Sequence, residues 1–385
     1  MVNIMTNTVA HLRSDACEKV MVWLIEDEIE KNGVATENTS ESIKKDLLDH
    51  LDNHPKLKGI RGLSKTNYYK NCVKWAPTFV SELIDTFPNS TFNVFDVEKE
   101  YRDLNMKGDF IIVVTTDNKE KVISFSLKNY EGSMKRPQVC SGTYNSFIMN
   151  FLFKSDGVGM FINPDDGTRF RGSGNKRDKI VEKKNGMSAV EALRDLKKLQ
   201  DTMKEEFVNS TTHKFFDKTR WESSCYEIGN KGADIAYNFL KNHVPDNLIY
   251  NRVVKMSGID GVEELLAFGG NNGNQYLNTL VNKRFKTMLS TIPICELNYF
   301  RHAKNIRFEF KSGDEIILEI DIPFTLNSNG CWYKGDNTKD VYDGKRYHEK
   351  EGLELEWGEL RPKKSKEIST SVNTYVDFGK SGLFE

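Results

Sequence analysis

Apolar and polar positions change period several times along the chain, and each change marks an element. From His11 to Lys31, Ala16, Val20, Val22, Leu24 and Ile25 leave one apolar stripe, which predicts a helix ending at Asn32-Gly33. A second helix is predicted from Glu41 to His54, where Pro55 stops it, and a third over Leu63 to Trp75. Pro77 then opens a fourth, running to Phe87 and carrying Glu82 in an otherwise apolar segment. Thr91 to Val97 alternates as a strand. Phe110 to Val114 and Val122 to Leu127 flank the polar turn Thr116-Asp117-Asn118-Lys119, which reads as a β-hairpin. A helix over Gln138 to Lys154 and a short buried strand over Val158 to Ile162 complete an α/β unit in the order αβββαβ, a mixed sheet flanked by helices.

Beyond this unit the pattern changes character. Thr168 to Gly186 is a basic loop with scattered Gly and Asn, and Ser188 with Glu191 forms a capping box for a helix to about Phe207. Another helix covers Gly232 to Lys241. The run from Ala267 to Asn274 is turn-rich; without a G-K-[ST] ending it is no P-loop, and flexibility is its simplest meaning. Asn305 to Phe324 alternates strictly about a Ser312-Gly313-Asp314 turn, a two-faced hairpin. Strand candidates at Trp332-Tyr333 and Leu353 to Trp357 precede a polar tail. The chain thus divides into an N-terminal helical region (1–76), the α/β core (77–167) and a C-terminal α+β region that ends β-rich (168–385).

Composition narrows the setting more than the function. Of 385 residues, 38% are hydrophobic and 29% charged, as expected of a globular chain that can build a full core. No apolar run reaches the roughly 20 residues of a membrane span, and no signal-like segment follows Met1, so an intracellular, cytoplasmic protein without membrane contact is expected. The six cysteines form no C-x-x-C pair and are expected as thiols. His50 and His54 stand at metal-ligand spacing but lack the acid of an H-E-x-x-H motif, which favours a surface pair. With a formal net charge of −1, binding to nucleic acid must rest on local patches. Two exist: Lys56, Lys58, Arg61, Lys65, Lys70 and Lys74; and Arg169, Arg171, Lys176, Arg177, Lys179, Lys183 and Lys184.

The chemistry concentrates at one end of the first hairpin. Asp109 opens its first strand and Lys128 closes its second, so antiparallel pairing brings both charges to one sheet end, with Ser126 on the face of Lys128. An acid at the head of the second strand and an x-x-Lys ending to the third, within an αβββαβ order, resembles the PD-(D/E)XK nuclease superfamily, which includes many type II restriction endonucleases. The resemblance covers roughly Pro77 to Asn163. It implies a Mg²⁺-dependent, sequence-specific endonuclease acting on double-stranded DNA. Asp109 would be its first acid and metal ligand, and Lys128 its lysine. Two departures stand out: Gly108 replaces the proline, and Ser126 replaces the second acid, giving S-L-K. The missing carboxylate would come from Glu82 or Glu131, and Gln138 would add a polar contact near the lysine.

Residues 168–385 would then recognise DNA, with Arg169, Arg171, Lys176, Arg177 and Lys179 on phosphates and Asn327, Asn329 and Lys334 in a polar loop near base edges. Cutting both strands implies a homodimer. The alternative reading is a non-catalytic nucleic-acid-binding or interaction protein on a degraded nuclease fold, which Ser126 favours. An RNA-directed nuclease and a hydrolase built on the two histidines are more distant alternatives.

Overall fold

A computed structural model describes residues 9–35, 40–52, 63–96, 108–130, 132, 134, 136–155, 160–212, 215–216, 218–256, 264–327, 332–334, 341–342, 360–362 and 368–377. Helices α1 (Val9–Lys31), α2 (Ser40–Asp52) and α3 (Asn67–Thr86) come first, followed by β1 (Thr91–Asp96), β2 (Phe110–Thr116), β3 (Lys119–Asn129) and β4 (Gln138–Gly142). Next are α4 (Tyr144–Leu152), the short strands β5 (Lys154–Ser155), β6 (Met160–Ile162) and β7 (Arg169–Arg171), and helices α5 (Asn175–Asn185) and α6 (Met187–Asn209). The two-residue pair β8 (Thr211–Thr212) and β9 (Phe215–Phe216) leads into α7 (Lys218–His243) and α8 (Asp246–Met256). Strands β10 (Glu264–Gly269) and β11 (Gln275–Asn278) precede α9 (Lys283–Thr291). The remaining strands are β12 (Glu296–His302), β13 (Asn305–Ser312), β14 (Glu315–Asn327), β15 (Trp332–Lys334), β16 (Val341–Tyr342), β17 (Leu360–Pro362) and β18 (Ser369–Asp377). The molecule is a mixed α/β protein.

Two five-stranded sheets organise it. The first has the order β1-β2-β3-β10-β11, and the second β12-β13-β14-β18-β4. In the first sheet, β1, β2 and β3 form an antiparallel meander. Asp117 and Asn118 have φ of 50° and 60°, the backbone of a two-residue hairpin turn whose twist matches the strands. Strand β10 lies parallel to β3, with Ser126 opposite Leu265 and Lys128 opposite Ala267. The position beside β3 is therefore filled from far along the chain. Val158–Ile162, expected there, instead contributes β6 to a separate three-stranded sheet with β5 and β7.

Alternation assigns the faces of the first sheet. Phe110, Ile112 and Val114 of β2, Ile123, Phe125 and Leu127 of β3, and Leu266 and Phe268 of β10 share one apolar core with α1, α2 and α3. Residues of all three expected regions meet in it. Leu265 and Ala267, on the opposite face, belong to a second core built on α4 to α9 and the second sheet.

Three helix expectations change. Leu63–Trp75 and Pro77–Phe87 form the single helix α3, with Pro77 inside it. Its apolar stripe, Cys72, Ala76, Phe79, Val80 and Leu83, runs unbroken past the proline. Pro77 and Val73, whose carbonyl loses its donor, are both exposed, so that carbonyl lies on the solvent side of the helix. The helix expected from Gln138 begins only at Tyr144, capped by Thr143, because Gln138–Gly142 pairs with β18 as an edge strand. The basic "loop" Thr168–Gly186 is strand β7 and helix α5. Its Lys and Arg residues are good helix formers, and Gly174 and Gly186, with φ of 111° and 84°, bound the helix. The helix that follows starts at Met187, with no side-chain cap from Ser188.

Candidate active site

The hairpin end predicted to carry chemistry is assembled on a rigid floor. Phe110, which follows Asp109, stacks on Phe125, which precedes Ser126, at 5.2 Å and 8°. Phe79 of α3 packs edge-on against both, at 6.2 and 5.2 Å. All three rings are fully buried, and each contributes roughly 1.5–3 kcal/mol by burial. The backbone that presents Asp109, Ser126 and Lys128 is thereby fixed from beneath.

Strands β2 and β3 part just beyond their last register pair, Phe110 with Phe125. The Asp109 N–H donates to the Phe125 carbonyl at 2.7 Å, and the Asp109 carboxylate reaches across the gap to accept the Leu127 N–H at 2.5 Å through Oδ2. Gly108 makes this geometry possible. Its φ is +155°, and a Cβ there would lie 2.1 Å from Ser124 Oγ and 3.1 Å from the Phe125 carbonyl oxygen. Proline, with φ fixed near −65°, cannot take this conformation. The departure at Gly108 is thus a requirement of the local backbone.

Around Asp109 Oδ2 the polar groups close into a ring. Ser126 Oγ donates to it at 3.4 Å, and Lys128 Nζ lies 3.5 Å away. The same ammonium donates to Ser126 Oγ at 2.8 Å and to the Leu127 carbonyl at 3.1 Å. Three oxygens of different kinds thus converge on one cation, supplied by the protein itself. The side chains of Asp109 and Lys128 are 26% and 22% exposed, so both are open to solvent. The oxygens are hard donors of the type Mg²⁺ takes: one carboxylate, one backbone carbonyl and one hydroxyl. Mg²⁺ is commonly held by one or two carboxylates plus substrate phosphates and water. Among the described residues no group of three His, Cys, Asp or Glu side chains converges, so the set fits Mg²⁺ only with ligands from the substrate or solvent.

Glu82 does not join this group. Its Oε2 accepts from Tyr276 Oη at 2.6 Å and Asn278 Nδ2 at 3.1 Å, both on β11. Tyr276 packs with the α3 core, and its register partner Phe268 is buried there, whereas Ser126 and Lys128 alternate onto the other face. Glu82 therefore lies across the sheet from Asp109, with Oε2 engaged on β11 rather than at the hairpin end. Burial and the adjacent Glu82 carboxylate together raise the Tyr276 hydroxyl far above the usual tyrosine range, so it remains a donor to Glu82.

Gln138 is also elsewhere. Its amide donates to Asn373 Oδ1 at 3.2 Å in the second sheet, and only its backbone N–H reaches the neighbourhood, donating to Tyr130 Oη at 2.9 Å. Glu131 and Asn329 lie outside the described residues, as does His54. Asn327 ends β14 and Lys334 ends β15, so both are strand residues rather than loop residues.

The second basic patch packs on the second core. Arg169 and Arg171 are exposed on either side of buried Phe170, and Lys179 is exposed on α5. Lys176 Nζ donates to the Arg169 carbonyl at 2.9 Å. Arg177 is only 3% exposed and is held by Asp178 and, at 3.2 Å, the Gly172 carbonyl. A guanidinium so enclosed fixes α5 to β7 and is out of reach of a phosphate.

Sequence patterning passed over the surroundings of the hairpin end on its other side. Asn129 Nδ2 donates to the Tyr68 carbonyl at 2.8 Å, and Asn71 Nδ2 donates to the Tyr130 carbonyl at 3.1 Å, which brings the N-terminal half of α3 to the Lys128 end of the sheet. The available signal was the polar interruption at Asn71 within an apolar stripe. A separate surface cavity of about 380 Å³, lined by Lys241, Asp246, Tyr250 and Tyr299 among others, lies beside the second core and includes none of these residues. No helix among the described residues is long and apolar enough to cross a membrane. Comparison with family models, with curated proteins and with solved structures gives no match to this chain.

Proposed function

We propose that this protein is a Mg²⁺-dependent endonuclease of the PD-(D/E)XK type that hydrolyses phosphodiester bonds in duplex DNA. The observation that carries the reading is the convergence of Asp109, Ser126, Lys128 and the Leu127 carbonyl where β2 and β3 part. Topology supports it as well. Helix α3 packs on the antiparallel meander β1-β2-β3, and β10, from far downstream, lies parallel to β3, a mixed sheet of the kind the resemblance implies.

Bound Mg²⁺ would neutralise charge on the reacting phosphate and make its water ligand more acidic. Asp109 and the Leu127 carbonyl would hold it, with Ser126 Oγ beside them. Lys128 serves the reaction directly. Its ammonium is placed to orient the attacking water and to stabilise the negative oxygens of the pentacoordinate phosphorus. Water adds to phosphorus and gives up its proton to solvent, the bond to the leaving oxygen breaks with its electron pair, and that oxygen takes a proton from solvent. The second reading, a non-catalytic nucleic-acid-binding protein, is favoured by the single carboxylate at the site.

Incubation of supercoiled plasmid and linear duplex with the protein, with Mg²⁺ or with chelator, separates the two. Cleavage that needs Mg²⁺ and falls at least ~10³-fold in Asp109→Ala and Lys128→Ala is expected, the scale seen when one preorganised charged group is removed from a site. Salt-sensitive DNA binding without cleavage under any divalent metal would overturn the nuclease reading.

A further inference from the structure

We infer that the asparagine turn between β10 and β11, together with Lys65, Lys70 and Lys74 in and just before α3, is the surface that engages duplex DNA and reads its bases, an inference that rests on the nuclease reading of the Asp109 end. The turn, Gly270-Asn271-Asn272-Gly273-Asn274, leaves the sheet at the Lys128 end: Ala267 is the register partner of Lys128, and Phe268 that of Asn129. At about 3.3 Å per residue the tip lies within roughly 10–15 Å of the Lys128 backbone. That span is about three to four steps of a duplex.

The turn is pinned, contrary to the flexibility its composition suggests. The Gly270 N–H donates to the Gly132 carbonyl at 2.6 Å, and the Tyr130 N–H donates to the Phe268 carbonyl at 2.9 Å. Lys74 Nζ donates to the Gly273 carbonyl at 2.7 Å, and the Met134 N–H donates to Gln275 Oε1 at 2.9 Å. A Cβ at Gly269 would lie 2.8 Å from Tyr130 Cβ, and one at Gly273, where φ is +63°, would lie 2.4 Å from Asn71 Oδ1. The base of the turn is thus locked against both β3 and α3.

Its tip is left open. Asn271 and Asn272 are exposed, and among the described residues neither side chain is engaged. Asparagine amides present a paired donor and acceptor that match the N6 and N7 edge of adenine in the major groove, which is wide enough to admit a short turn. A rigid support lowers the conformational cost of that contact.

The two segments that carry the turn and the lysines bear charge of one sign. No Asp or Glu occurs from Asn53 to Ser81, or from Leu265 to Cys295. Lys70 and Lys74 are exposed four residues apart on one face of α3, and Lys65 is exposed just before the helix. Neutralising phosphates is the sequence-independent part of DNA binding, and amides at base edges are the specific part. Both stand together here, at the reacting end of the sheet.

The full-length Asp109→Ala protein, which on the nuclease reading should hold DNA without cutting it, tests this. It is mixed with a pool of random 30-base-pair duplexes, and the bound fraction is sequenced. Enrichment of a motif containing A·T pairs is expected. Asn271→Ala combined with Asn272→Gly, which keeps the positive φ of 62° at position 272 accessible, should erase the preference at those pairs. Lys65→Ala combined with Lys70→Ala, which leaves the Lys74 tie to the turn in place, should weaken binding to every duplex about 10-fold or more and reduce the slope of log affinity against log salt by about 2. The inference is overturned if no motif is enriched, if the asparagine variant selects the same motif, if the lysine variant keeps the parental slope, or if only RNA is bound. Cleavage by the unmodified chain is scored separately, so a protein that binds through this surface but never cuts sinks the nuclease reading alone.

Discussion

The two sheets each gather acids and bases, and they use them in opposite ways. At the end of the first sheet one carboxylate, one hydroxyl and one ammonium meet where the strands part, about a quarter exposed and resting on three buried phenylalanines. In the second sheet Glu319, Asp321 and Asp377 lie on neighbouring strands, with Glu319 fully buried, and two arginines enclose them. Arg136 lies 3.6, 3.3 and 3.2 Å from the three acids, and Arg307 reaches Glu319 at 3.4 Å. In the larger cluster three buried carboxylates are balanced in large part by two guanidiniums, and it is the arginines that reach solvent. The smaller one, about a quarter exposed, meets solvent directly. Accessibility of a charge, more than the number of charges, separates a site from a strut.

The comparison breaks most sharply at the arginine. Arg136→Ala leaves three acids with one guanidinium in a buried setting, and should cost about 2–3 kcal/mol of unfolding free energy, less than a fully buried pair because Arg136 is itself 42% exposed. Denaturant titration would show this, while cleavage per folded molecule stays within a few-fold. A loss of cleavage with no loss of stability would reverse the roles assigned to the two clusters.

A second carboxylate makes a pH-dependent case. Glu26 of α1 is fully buried and accepts from the Val94 N–H at 3.3 Å, and burial pushes its carboxyl up to about 7. Its folded-state pKa exceeds its unfolded one, so the folded state holds a proton that the unfolded state releases above about pH 4.5. Stability therefore declines between about pH 4.5 and 7, by up to roughly 3 kcal/mol. Glu26→Gln should flatten that decline in melts across pH 4 to 8. An unchanged profile would remove Glu26 from the account.

The smallest effect is expected at Glu82. Glu82→Gln keeps an acceptor for Tyr276 and Asn278, so stability should fall by about 1 kcal/mol and cleavage by less than threefold. A loss as large as that of Asp109→Ala would mean that Glu82 reaches the reacting phosphate across the sheet, against the alternation seen here.

The hairpin was legible because everything that specifies it is local. A two-residue turn with positive φ, strict alternation and charges at matching ends lie within a single short segment, and strand alternation alone places Asp109, Ser126 and Lys128 together. The strand beside β3 was not legible, since parallel pairing needs a long crossover and β10 lies far downstream, where Leu265–Phe268 reads as any short apolar run. Gln138–Gly142 misled for a related reason: the edge of the distant β18 outweighs its local preference. The second hairpin showed its apolar face plainly. Its polar face carries Glu319 and Asp321, buried there because Arg307 of β13 and Arg136, from the segment after β3, enclose them.

The parallel pairing of β3 with β10 also sets an order of events on the ribosome. Strand β3 can pair with β2 as soon as both emerge, but its other edge stays open until residues 264–269 have been made and cleared the exit tunnel. At ~5–20 residues per second that interval is on the order of ten seconds. Throughout it the nascent chain carries Lys128 on an unfinished edge, without the turn that would hold a duplex against it.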